Sequence, residues 1–252
     1  MVGLTYATYK KQIAEMAVVS ETDVNFLAIL ESMIDYATLR INRDLDLLAT
    51  SVSLSGENYK LTAGNRNLFF SQNLPGGSYF VVSEQINLIL PRGQTNPDLG
   101  TRVPLLPATK EFLDAVFGSA LSANRGQPKY FAPFNDTLFL VGPVPDGDPV
   151  NGPPYYVEVV GTIRPAPLSE EVPVTFISQY LPDLLIMASM IYISAYQRNF
   201  GRQSDDPQMA QSYESQYGML LKSAMVEEAR KKYEGAAWSS QAPAPVASPT
   251  RG

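Results

Sequence analysis

The spacing of apolar positions changes twice along the chain. Between Asp23 and Asp46, Phe26, Leu27, Leu30, Met33, Ile34, Ala37, Ile41 and Leu45 recur at threes and fours. The acidic residues mostly fall off that stripe, so the spacing predicts a helix over 23–46. Upstream, Leu4, Tyr9, Ile13 and Ala14 form a weaker helical stripe, and Ser20 with Asp23 three residues on reads as a capping arrangement.

At Thr50 the period drops to two. Val52, Leu54, Tyr59 and Leu61 alternate with polar residues about Gly56–Asn58, which predicts a short hairpin. Tyr79–Leu90, YFVVSEQINLIL, predicts a long strand with a bend or bulge within Ser83–Asn87, and Thr101–Leu106 a further strand. Ala108–Gly118 predicts a short helix with Phe112, Leu113 and Val116 facing inward. Asn135 and Asp136 lie between two apolar runs and predict a second hairpin, followed by a strand at Tyr155–Ile163. Pro91–Gly100 reads as a loop, and the proline-rich Arg164–Pro173 as the crossover from sheet back to helix.

Beyond Thr175 the helical spacing returns. Leu184–Ala195, LLIMASMIYISA, carries no charge, so a helix there is apolar almost all round yet too short to cross a bilayer. Pro182 suits its first turn and Asp183 its positive end, giving about 18 residues, or roughly 27 Å. Such a rod needs at least two partners within the chain, or one in the chain and one in another subunit. After an Asp206–Pro207 start, Ala210, Tyr213, Tyr217, Leu220, Leu221 and Ala224 stripe a last helix, expected to reach Tyr233 and stop at Gly235. The final residues are rich in Ala, Pro and Ser and have no reason to fold alone.

The fold class implied is α+β, a helical bundle of N- and C-terminal helices with an inserted antiparallel β-rich region. Residues 1–48 and 174–235 supply the bundle, 49–173 the β-rich region with its short helix at 108–118, and 236–252 a flexible tail. The first and last quarters of the chain are expected to pack together.

Composition narrows the chemistry. A net charge of -6 argues against a DNA-coating surface, though not against a wall past which DNA slides. With no Cys and no His, disulfides, thiolate or histidine metal sites and an imidazole base are excluded. The N-terminal stretch lacks the long apolar core of a secretory signal, so the protein is expected to stay where it is made. Phosphate-binding glycine loops, a nucleophile elbow and a Ser-x-x-Lys pair are missing.

Carboxylates remain as candidate chemistry, but Glu170–Glu171 and Asp205–Asp206 are adjacent residues in loop or cap settings, better read as solvated charge and cap. Asp146–Asp148, DGD, lacks the later bidentate Glu of a calcium loop and reads as a turn. No cofactor or metal is expected. Arg230, Lys231 and Lys232 form the compact basic run, suited first to a helix C-terminus and less well to a phosphate or partner contact. Tyr192 with Tyr196, and Tyr213 with Tyr217, repeat at one helical turn. Core or subunit packing suits them better than base stacking, because a stacking platform sits amid positive charge.

Three stretches resemble the head-to-tail adaptor proteins of tailed bacteriophages. They are the N-terminal helix with Phe26, Leu30, Ile34, Ile41 and Leu45; the run KYFAPFNDTLFLVGPVPDG followed by YYVEVVGTIRPAPLS; and the Pro182 helix followed by the tyrosine-bearing helix from Pro207. Pro91–Gly100 and Gly118–Gln127 fall outside the pattern.

The resemblance implies a ring of copies, commonly twelve, joining a portal protein to a tail protein. Double-stranded DNA passes through without lasting contact, and no membrane is involved. It also implies a virion component assembled in the host cytoplasm, with no enzymatic activity. The candidates for subunit or partner contact are Tyr192, Tyr196, Tyr213, Tyr217, Leu220, Arg230, Lys231, Lys232 and, in the tail expected to order on the portal, Trp238. Competing classes are another virion part, such as a tail tube, stopper or baseplate component, and more remotely a carboxylate-dependent glycosidase.

Overall fold

A computed structural model describes residues 3–69, 73–147, 152–199 and 207–237, the side chains of 75, 196–199, 207–210 and 233–237 excepted. In chain order the helices are α1 (Tyr6–Met16), α2 (Val24–Asp44), α3 (Lys110–Phe117), α4 (Phe176–Tyr180), α5 (Pro182–Asn199) and α6 (Pro207–Ala237). The strands are β1 (Ser51–Leu54), β2 (Lys60–Leu61), β3 (Asn67–Phe69), β4 (Tyr79–Leu90), β5 (Thr101–Pro104), β6 (Leu106–Pro107), β7 (Tyr130–Asn135), β8 (Leu138–Gly142) and β9 (Tyr155–Arg164). The class is α+β with mostly antiparallel sheets. The chain forms two compact units, one from Met1–Ala49 with Pro167–Gly252, the other from Thr50–Ala166.

In the first unit, α2 starts where the Asp23 carboxylate accepts the backbone N–H groups of Asn25 and Phe26 at 2.9 and 3.0 Å. Asp23 is therefore the cap itself, while Ser20 bonds Thr22, which corrects the Ser20–Asp23 reading. The stripe on α2 buries Phe26, Leu30, Met33, Ile34, Ala37 and Ile41 as its spacing requires; Leu27 stays exposed.

α5 begins at Pro182 as expected, preceded by the short α4, whose start is closed by reciprocal bonds between Thr175 and Ser178. Leu184, Leu185, Ala188, Met190 and Ile193 are buried, with α2 and α6 packed along α5 and α1 touching it. The central rod thus finds at least two partners inside its own chain, the first of the two arrangements its apolar circumference allowed. Ser189, also buried, donates to the Leu185 carbonyl at 2.7 Å, which leaves its oxygen to accept the Tyr9 hydroxyl at 2.6 Å.

α6 continues to Ala237 through Gly235, correcting the expected stop. A lone helical glycine costs only about 1 kcal/mol, and the alanines on its far side favour continuation. The Asp206 cap lies outside the described residues.

In the second unit, one sheet runs β1-β9-β4-β5 with β2 also on β9, and the other runs β3-β8-β7-β6. Leu61, Ile86, Leu88, Val157 and Val159 of the first sheet share one core with Leu68, Phe139 and Val141 of the second, so the two sheets face each other. On the far side of β7 and β8, Ala132 and Leu140 pack with Leu113 of α3. β8 is covered on both faces, which explains its unbroken apolar run. A Cβ on Gly142 would meet Leu113 and Phe117 side chains at 2.8 and 2.9 Å, so glycine lets α3 lie close.

Two sequence expectations fail in this unit. β1 and β2 do not form a hairpin: both pair antiparallel with β9, Ser51 opposite Thr162 and Leu61 opposite Tyr155. The alternation was real, but the partner lies about a hundred residues away. Phe112 and Val116 of α3 are exposed; Leu113 faces in, joined by Phe117. The expected bulge of β4 is present where predicted, as a register shift at Ser83/Gln85, and a second shift lies earlier at Phe80/Val82. The hairpin at Asn135 holds, the Asn135 side chain accepting the Thr137 N–H at 3.0 Å.

Candidate subunit and partner interface

The sequence-selected residues lie on α5 and α6, and the structure separates them into three groups. Tyr217 belongs to the core: it is 1% exposed, and its hydroxyl donates to Asp44 at 2.7 Å. Burial, reinforced by the Asp44 charge, holds its phenol protonated well above the ordinary value. The Arg40 guanidinium lies 4.3 Å over its ring and pairs with Glu214, a bond that keeps Arg40 protonated. Tyr217 therefore links α6 to α2, which removes it from the candidates for contact with a neighbouring copy. Tyr213 and Leu220 are half-buried against the same core. Tyr192 is half-buried too, its ring 5.3 Å from that of Tyr36.

The basic run forms the second group, and most of it is neutralised inside the unit. Lys231 pairs with Glu228 at 2.7 Å and Glu227 at 2.9 Å, which raises its pKa, and its ammonium sits 5.5 Å from the Phe176 ring centre. Lys232 pairs with Asp46. Glu228 is itself buried and accepts the Leu48 backbone N–H at 3.1 Å, so this end of α6 fastens the chain leaving α2. Arg230 alone of the three is exposed. Tyr196 and Trp238 make up the third group, for Trp238 and the side chain of Tyr196 lie outside what the structure describes.

Reasoning from sequence missed the polar clusters of the β unit. Asp146 does not sit in a simple exposed turn: it accepts from Arg92 at 2.8 Å and from the Tyr155 hydroxyl at 2.9 Å, tying down the Pro91–Gly100 loop. Burial and the Asp146 charge push the Tyr155 phenol up to about 12.

On the outer face of the first sheet, buried Glu158 accepts from Ser53 at 2.7 Å and from Asn87 and Arg102 at 2.9 Å. Burial pushes its pKa up, but bonds from Arg102, Asn87 and Ser53 outweigh that and hold it below the ordinary glutamate range. A carboxylate so occupied is poorly placed to act as a base. The open depression at Lys60, Thr62, Ala63, Gly147 and Gly152–Pro154 is lined by no carboxylate. Among the described residues there is no group of three His, Cys, Asp or Glu able to hold a metal ion, and no helix long and apolar enough to cross a membrane.

The arrangement suits recognition: a long helix fixed along one side by Tyr217, Ala224 and Glu228, with its opposite side open. No curated protein matches the chain. A family model described as SU10 adaptor protein matches residues 4–247, nearly the whole length, and the chain belongs to that family of phage head-to-tail adaptors.

Proposed function

We propose that the chain is a structural adaptor whose copies form a ring, twelvefold by family resemblance, between phage portal and tail, leaving a conduit for double-stranded DNA. The family match across residues 4–247 carries this reading. In it, residues 1–48 and 174–235 act as a helical bundle that meets neighbouring copies, 49–173 is carried as a β-rich fitting, and 236–252 with Trp238 orders on the portal. Tyr192, Tyr196, Tyr213, Leu220 and Arg230 remain candidates for contact.

The acidic balance of the chain, -6 overall, suits a wall that repels phosphates and so lets DNA slide. The internal pairing of Lys231 and Lys232 supports that role, since it removes two cations that DNA would otherwise find.

The test is the mass of the chain alone and after mixing with the portal protein, with and without residues 236–252. A discrete high-symmetry complex formed with the full chain and lost on truncation is expected. Stacking into open tubes would instead select a tail-tube component, and no complex with the portal would overturn the adaptor reading. Steeply salt-dependent binding of duplex DNA by the assembled ring would reject the sliding-wall account.

A further inference from the structure

The connection between α1 and α2 holds a residue that its own fold does not favour. Val18 follows the end of α1 with φ of +55°, while Val19 N–H bonds the Ala14 carbonyl at 3.0 Å and Val18 N–H bonds Glu15 at 3.2 Å. That bonding closes a helix end at a position where glycine is the usual occupant, and a β-branched residue is strained there. The Val18 side chain is 86% exposed and Val24, nearby at the start of α2, is 79% exposed, so neither returns much to the chain's own core.

Met16 and Leu27 extend this apolar tip. From Gln12 to Leu39 the sequence has no Lys or Arg, and Glu15, Glu21, Asp23 and Glu31 each lie within four residues of an exposed apolar residue of the tip, Asp23 being engaged as the cap of α2. The tip is an apolar knob with an acidic rim.

The outward side of α6 has the opposite character. At about 100° per residue, Ser215, Met219, Lys222, Val226 and Arg230 fall on the side facing away from Tyr217, Ala224 and Glu228. All five are exposed, Met219 at 61%, and no carboxylate falls among them. The acids on its flanks are already engaged, Glu214 by Arg40 and Glu227 by Lys231. This is an apolar face with a basic rim, on a chain whose overall charge is negative.

We infer that the α1–α2 tip of one copy docks on the outward face of α6 of the next. Charge complementarity selects a second copy of this chain as the occupant, and the two surfaces differ, so the contact is head-to-tail and propagates from copy to copy until a ring closes. The inference rests on the ring reading above and names the surfaces that build it.

The chain has no cysteine, so thiols can be placed singly. Full chains carrying Val18→Cys are mixed with full chains carrying Val226→Cys, at high concentration and on purified portal, and oxidised. Expected are a mixed Val18–Val226 dimer well above either homodimer, and a ladder of linked copies when one chain carries both substitutions. Val18→Gly should raise the melting midpoint of the unassembled chain yet weaken assembly by roughly tenfold. Lys222→Glu with Arg230→Glu should also weaken it, with rescue by Glu15→Lys and Glu21→Lys on the neighbouring copy.

Absence of the mixed dimer overturns the docking assignment. Rings of unchanged mass in that case leave the ring reading standing, whereas monomers under every condition remove both. If Lys222→Glu with Arg230→Glu changes retention of short duplex DNA and leaves assembly intact, the α6 face meets phosphate and the assignment is likewise overturned.

Discussion

In the helical unit the buried hydroxyls of Tyr9 and Ser189 form a relay ending on the backbone of α5 itself, one turn back at Leu185. In the β unit the buried carboxylate of Glu158 depends on side chains from three other strands: Ser53 of β1, Asn87 of β4 and Arg102 of β5. In the helical unit each such group joins two elements, as Tyr217 and Glu228 also do, whereas Glu158 is satisfied only once three other strands have met in register. A polar core of the second kind specifies pairing, because a one-residue slip would turn Glu158 into the apolar face and leave Arg102 without it. It also places charge where acid can reach it. Glu158 and Asp114, carboxylates held low by their bonds, both belong to Thr50–Ala166.

The largest effect expected is on independence itself. Leu185→Ala and Leu88→Ala should each cost about 2–5 kcal/mol, with hydrogen-exchange protection lost in the unit that carries the substitution and kept in the other. Loss of protection in both units from either variant would make them one cooperative body.

Next comes Glu158→Gln, expected to destabilise the β unit by about 1–3 kcal/mol. The pH sign follows from a folded pKa below the ordinary 4.5: the stabilisation is present above 4.5 and is lost as pH falls below it through the folded value. Urea midpoints read from β4 and β9 peptides should therefore fall on acidification in the parent chain and fall less steeply in the glutamine variant.

Tyr217→Phe should cost the helical unit about 0.5–1.5 kcal/mol through the lost bond to Asp44. Its folded pKa is raised, so the parent chain should lose this stabilisation as pH rises above 10, and the phenylalanine variant should show a shallower alkaline decline in helical circular dichroism. Lys232→Ala is the smallest change, about 0.2–1 kcal/mol, since the pair with Asp46 lies at the surface; a thermal midpoint shift beyond that range would mark it as part of the Glu228 fastening.

The same contrast accounts for what could be read from sequence. α2 and the start of α5 were legible because a helix writes its buried side within four residues, and Pro182 punctuates it locally. β9 was legible as a strand, but its partners were not: alternation at Val52–Leu61 states that two strands exist and is silent about which strand receives them. Phe112 and Val116 misled because a short helix laid on an already covered sheet needs little inward surface, and Leu113 with Phe117 suffices. Among the interface candidates, repetition of tyrosine at one helical turn could not tell Tyr217, sealed against Asp44 and Arg40, from Tyr213, half in solvent. The ion pairs that absorb Lys231 and Lys232 bring in Glu228 one turn away and Asp46 from the far end of the chain, so only the first left a local trace.

β1 and β9 open and close the β unit as neighbours, with Ser51 opposite Thr162. The polypeptide thus enters and leaves that unit about one strand spacing apart, roughly 4.8 Å. Any module whose two ends sit that close could be exchanged for it, or a tight turn could seal the gap. Such a junction lets the β-rich unit be rebuilt by recombination while the helical unit is inherited untouched.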